Sequence, residues 1–255
     1  MAEARPPIVE HVKRIMMDEL GSHLLGILWT GSRAYGEPWP NSDWDFFVIH
    51  DQLWRQRRLF TVARDEIELF LNPVDQIRRE FYDQDPATVG MFARGKIVFD
   101  ATGITHQLMQ EAENMWRGWR RPWTALERDH WRYETLDLMK DIEDLLAEDP
   151  DAASYLMGLL MQKLLAGWYQ AHQYWEPKAK YLLADLARLS PELAFQCRGV
   201  ISHHQPVVRR FAALRELVEL VHQPFGGKLK TWQTEREPVP PFEPSTASDN
   251  ATSND

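Results

Sequence analysis

Asp43 and Asp45 stand two residues apart at the head of the apolar run Asp43–His50, DWDFFVIH. In a strand, residues two apart share a face, so both carboxylates project together while Trp44 and Phe46 point into packing. Paired carboxylates repel unless a cation sits between them, and hard oxygen ligands favour Mg²⁺ or Mn²⁺. Upstream, Gly31-Ser32 closes the apolar run Leu24–Thr30, LLGILWT. Glycine lets backbone approach a ligand closely. Free N–H groups at a helix start, with a serine hydroxyl, bind phosphate. Between the two features lies Gly36–Ser42, GEPWPNS, which is turn chemistry. A third acid comes from the run Thr61–Leu71, where Glu66 and Glu68 share a face. Three carboxylates can hold two metal ions about 3.5–4 Å apart, as transfer of a nucleotidyl group requires.

The order Gly-Ser, turn, then Ser42-Asp43-x-Asp45 in a strand resembles the signature of the DNA polymerase β-like nucleotidyltransferase superfamily. The layout is similar to the kanamycin nucleotidyltransferase type, and GSRAYG also resembles the minimal nucleotidyltransferases. By motif the resemblance covers about residues 22–103. It implies a nucleoside triphosphate as co-substrate, with ATP first, and an acceptor hydroxyl on a small molecule such as an aminoglycoside. It further implies metal at Asp43, Asp45 and Glu68, Glu68 being preferred to Glu66. Gly31 and Ser32 would hold phosphates, with Arg33 and Ser42 beside them. Relatives often use a lysine of the helical half against the triphosphate, which singles out Lys178 here, with Lys180 near it.

The elements that must position these groups follow from periodicity. Ile8, Val9, Val12, Ile15, Met16 and Leu20 predict a first helix, stopped by Gly21. Strands are expected at Leu24–Thr30, Asp43–His50, Thr61–Leu71 and Gly95–Asp100. Helices are expected at Ser32–Tyr35 and Val74–Tyr82. From about residue 104 strand signals vanish. Helices are then expected at Thr124–Ala147, Ala152–Tyr174, Lys178–Leu189 and Pro206–His222. The fold class expected is α+β: a small mixed β-sheet domain with flanking helices over 1–103, then an all-helical bundle over 104–232. Residues 233–255, rich in Pro, Ser, Asn, Asp and Thr, read as a disordered tail.

Composition sets bounds. The chain has 255 residues, 44% hydrophobic, with a formal net charge of −9. Such a charge argues against holding nucleic acid through its phosphates. One cysteine, Cys197, excludes an internal disulfide framework and fits a reducing, cytoplasmic compartment. No signal peptide and no membrane span are expected. A homodimer is compatible with the sequence. Acids at 134, 137, 141, 143 and 144 and the pair His203-His204 read as solvated surface. Trp116, Trp119, Trp123, Trp168 and Trp175 read as core or interface.

Two rival readings keep the nucleotide at the same residues. One is an antitoxin-type nucleotidyltransferase that adenylylates a partner protein, which the long helical half disfavours. The other is a non-catalytic nucleotide-binding module, which the retention of both Asp43 and Asp45 disfavours. A metal-dependent glycosyltransferase using Asp-x-Asp is disfavoured by Gly31-Ser32 at the preceding strand end.

Overall fold

The computed structural model describes residues 6–238 apart from 119, 228, 230, 235 and 237. The chain runs α1 (Pro7–Leu20), β1 (Leu24–Thr30), α2 (Gly31–Ala34), β2 (Trp44–His50), β3 (Gln56–Val62) and β4 (Asp65–Pro73). It continues with α3 (Val74–Tyr82), α4 (Pro86–Arg94), β5 (Lys96–Asp100) and α5 (Ile104–Arg117). Among the described residues only helices follow: α6 (Ala125–Glu148), α7 (Pro150–Ala171), α8 (Ala179–Leu189), α9 (Pro191–Ile201) and α10 (Val207–His222). The expected tail lies, from residue 239 on, outside the described residues. No helix among the described residues is long and apolar enough to cross a membrane.

The five strands form one mixed sheet in the order β3-β4-β2-β1-β5. β2 and β4 run parallel, and the other neighbours are antiparallel. Side chains alternate across it. Ile27, Phe46, Val48 and Leu69 point to the face covered by α1, through Val9, Val12 and Met16. Leu28, Phe47 and Ile49 point to the opposite face, covered by Ile77 of α3, Phe92 of α4 and Leu108 of α5. The expected α+β class is what is observed.

Two sequence expectations are corrected. The single strand over Thr61–Leu71 is a hairpin, β3 and β4, whose turn places Ala63 at φ 57°. The polar stretch Gln56–Arg58 masked β3, because an edge strand needs little apolar content. The helices Pro86–Arg94 and Pro191–Ile201 were also missed. Each starts at a proline in its first turn, after a side-chain cap from Asp85 or Ser190. Helix α5 begins where the expected helical part begins, yet its Leu108 and Ala112 are buried with sheet residues.

The later helices build their own core, which includes Trp131, Met157, Leu160, Leu164, Leu214 and Leu217. α6 starts at a capping box: the Glu127 N–H donates to the Thr124 hydroxyl, and the Thr124 N–H donates to the Glu127 carboxylate. The close crossing of α6 and α7 depends on Gly167. A Cβ there would lie 2.3 Å from the Trp131 indole. Trp131 is itself anchored, its Nε1 donating to the Lys163 carbonyl at 3.0 Å.

After α7 the chain returns toward the sheet. Arg120 N donates to the Gln173 carbonyl at 3.2 Å, and Gln173 Nε2 donates to the Arg120 carbonyl at 2.6 Å. Trp175 then stacks on Trp116 of α5, with ring centroids 5.2 Å apart. Lys178 follows, as the residue immediately before α8.

Gly167→Ala therefore overpacks the helical core and is expected to cost about 1–3 kcal/mol. Urea unfolding should show a lower midpoint. An unchanged midpoint would show that Trp131 shifts freely.

Candidate metal and phosphate site

Strand register gathers the acids. β1 meets β2 with Thr30 opposite Asp45, and β2 meets β4 with Asp45 beside Glu68. Adjacent strands lie about 4.7–4.9 Å apart, so side chains on one face at one register must meet. Asp43 sits just before β2. Ligand oxygens of Asp43, Asp45 and Glu68 all lie within 4.8 Å of one another. Glu66, the alternative third acid, is opposite Thr61, exposed, and outside this group.

The three acids differ in environment. Asp45 is 6% exposed. Burial, then the charges of Asp43 and Glu68, push its carboxyl up to about 6, against the opposing pull of Lys178 and Arg57. Glu68 is paired with Arg57 of β3, Nε to Oε1 2.5 Å. The Arg57 guanidinium also lies 5.0 Å from the Phe70 ring centroid. Arg57 escaped the sequence reading because β3 did.

Gly31 makes the arrangement sterically feasible. It has φ +75°, a left-handed conformation that other residues rarely adopt. A Cβ there would lie 1.7 Å from Asp45 Oδ2. The Asp45 carboxyl thus rests against the first residue of α2. That helix is a single turn of four residues, Gly31–Ala34, one residue earlier than the Ser32–Tyr35 helix expected.

The connecting turn is held by side chains. Ser32 Oγ donates to Ser42 Oγ at 2.8 Å, and Trp39 N donates to the same oxygen at 2.9 Å. Ser42 Oγ keeps its own proton free to donate. Arg33, expected at the nucleotide, braces the turn here. Its Nε donates to the Ser42 carbonyl at 2.8 Å, and its guanidinium lies 4.9 Å from the Trp44 ring centroid. Thr30 Oγ1 donates to the Met91 carbonyl at 3.1 Å and shares a 2.7 Å hydrogen bond with the Tyr35 hydroxyl, tying the end of β1 to α4.

The remaining sequence candidates fall elsewhere. Lys178 is exposed, and its charge reaches Asp45. Glu134 pairs with Lys163 at 3.0 Å and Asp137 lies 3.9 Å from Lys140, as surface acids on a helix do. His203 and His204 are exposed. Among the described residues, the acidic trio is the group with metal-ligand geometry. Trp123, Trp131 and Trp168 belong to the helical core. Trp119 lies outside the described residues.

The donor set fits a hard divalent cation. It is all oxygen, carries three acids, and holds one of them in a poorly solvated position that a cation would relieve.

No protein-family model matches the chain. No curated protein matches it either. Among solved structures it is similar to a nucleotidyltransferase-like protein from Exiguobacterium sibiricum 255-15, with a TM-score of 0.54 and 12% identity. That match covers 85% of this chain and 75% of the other. A second match is the spectinomycin adenyltransferase AAD(9) from Enterococcus faecialis with ATP and spectinomycin, with a TM-score of 0.36 and 16% identity. It covers 82% of this chain and 88% of that one. The first likeness is one of fold, and the second is too low to build on.

The raised Asp45 carboxyl has a thermodynamic consequence in metal-free protein. An unfolded Asp titrates near 3.9. The folded group, pushed up to about 6, favours its protonated form. Its stabilising contribution is therefore full below about pH 4. It is lost as pH rises through about 6, the loss being on the order of 3 kcal/mol. In EDTA, Asp45→Asn should be more stable than the native chain at pH 8, by about 1–3 kcal/mol, and this gain should vanish near pH 4. Urea unfolding at both pH values measures it. An equal difference at the two would show that charge is not what Asp45 contributes.

Proposed function

We propose that this chain is a metal-dependent nucleotidyltransferase of the DNA polymerase β-like superfamily, moving AMP from ATP to a hydroxyl of a small acceptor such as an aminoglycoside. The observation that supports it most is the close gathering of Asp43, Asp45 and Glu68 beside Gly31 and Ser32. Solvated surface acids would not include one that is 6% exposed and pressed against a glycine it excludes from substitution.

In this reading Asp43, Asp45 and Glu68 hold the divalent metal. Bound there, Mg²⁺ or Mn²⁺ supplies charge stabilisation for the reacting phosphoryl group. The chain's own groups do the rest. The backbone N–H groups at Gly31-Ser32 and the Ser42 hydroxyl hold the β- and γ-phosphates by donated hydrogen bonds, while Ser32 Oγ, which donates to Ser42, orients that hydroxyl. Lys178 faces the same charge from the helical side. The acceptor oxygen attacks the α-phosphorus, a new O–P bond forms, and the bond to the bridging oxygen breaks. Pyrophosphate leaves with that electron pair, and the hydroxyl proton passes to a carboxylate of the cluster. Arg57 keeps Glu68 oriented and partly neutralised. We assign the α/β part to nucleotide and metal, and the helical part to the acceptor side and to Lys178.

The test is pyrophosphate release with each nucleoside triphosphate and Mg²⁺ over a panel of aminoglycosides. ATP should support release with at least one acceptor. EDTA should stop it. Asp43→Ala and Asp45→Ala should each lower it by about 100-fold or more, since each removes a ligand from the metal. Undiminished release by Asp45→Ala, or in EDTA, would overturn the assignment.

A further inference from the structure

The turn that carries Ser42 also reaches across to the helical part of the chain. Trp39 Nε1 donates to the Tyr181 hydroxyl at 3.1 Å. Tyr181 lies in the first turn of α8, three residues beyond Lys178. Lys180 Nζ lies 5.7 Å from the Trp39 ring centroid and 5.1 Å from that of Tyr181. The Trp39 backbone N–H is bonded to Ser42 Oγ, which accepts from Ser32. One run of contacts thus joins Tyr181, Trp39, Ser42 and Ser32, linking the start of α8 to the start of α2.

Packing does not account for this pair. Trp39 is 57% exposed, so the indole sits at the surface with its polar edge committed to one hydroxyl. Lysines at a helix start oppose the helix dipole. Among the described residues neither Lys178 nor Lys180 has an ion pair with an acid, although the chain carries a net charge of −9. Two ammonium groups are therefore held at a helix start without a salt bridge, Lys178 with its charge acting on Asp45 and Lys180 resting on the Trp39 and Tyr181 rings beside the Ser42 turn. A polyanion placed between them and Ser32 would satisfy all of these groups together. An ammonium resting on aromatic faces is weakly held compared with one bonded to phosphate, so Lys180 can turn to such a ligand at little cost.

We propose that Trp39 and Tyr181 are positioning residues, a clasp that docks the start of α8 beside the Ser32–Ser42 pocket, and that Lys180 is a second cation for the terminal phosphates of the triphosphate. This inference rests on reading the pocket as a triphosphate site.

The test is calorimetric titration of the full chain, in Mg²⁺, with ATP, inorganic tripolyphosphate and AMP. Lys180→Met should weaken ATP and tripolyphosphate by about 10-fold while leaving AMP unchanged. Trp39→Phe and Tyr181→Phe each delete one end of the hydrogen bond and keep a ring. Each should weaken the same two ligands by about 3–10-fold, and the double variant should be no weaker than either alone. A purely structural contact would predict equal effects on all three ligands, or none, and either result overturns the clasp. If the native chain binds neither ATP nor tripolyphosphate, the triphosphate reading falls and takes the clasp with it. If it binds both, and the Phe variants bind as well as it does, the clasp alone falls.

Discussion

Asp45 sits in a position that a carboxylate alone would not choose. It is nearly buried, Asp43 and Glu68 lie beside it, and its carboxyl is pressed to the backbone of Gly31. Each of these facts disfavours its charged form. The nearby Lys178 and Arg57 offset only part of that cost, since the carboxyl remains raised to about 6. A fold does not retain such strain for stability, because an amide or an apolar side chain would fit the strand without it. A divalent cation sharing the oxygens would make the arrangement favourable. The local geometry is consistent with that need: the left-handed φ of Gly31, the strand register of β1, β2 and β4, and the Arg57–Glu68 pair.

Register is the device that makes the cluster reproducible. In a parallel pair such as β2 and β4, slipping by one residue would move Glu68 to the opposite face and put Ile67 or Leu69 beside Asp45. That slip is opposed by burial on both faces, since Phe46, Val48 and Leu69 pack under α1 while Phe47 and Ile49 pack under α3, α4 and α5. The hydrophobic core thus fixes the distance between carboxylates without touching them. The same logic applies at longer range to Lys178. Its place depends on the return of the chain after α7, pinned by the Gln173–Arg120 hydrogen bonds and the Trp116–Trp175 stack.

Much of this was legible in the sequence where a signal was local. Gly31-Ser32, the turn and Asp43-x-Asp45 lie within fifteen residues, and the alternation of the Asp43–His50 run assigns each side chain a face. Glu68 was separable from Glu66 only through strand register, a non-local quantity, so the sequence alone leaves both open. β3 was missed because Gln56–Arg58 is polar, and with it went Arg57. Trp39 and Tyr181 lie 142 residues apart, and no periodicity connects them. Arg33, which the resemblance places beside the phosphates, also donates to the Ser42 carbonyl, a contact that no local signal in the sequence marks.

The two parts of the chain supply opposite charges to one place. The sheet brings three acids, which a cation can bridge, and the start of α8 brings two lysines, which a polyanion can bridge. A metal–triphosphate complex carries both charges in one ligand, cation next to phosphate. Its binding would therefore satisfy the acids and the lysines together, whereas a free cation satisfies only the sheet and a free phosphate only the helix. In the proposed reading neither half of the chain makes that discrimination alone. This is a physical reason for the start of α8 to stay docked through the Trp175–Trp116 stack and the Trp39–Tyr181 hydrogen bond.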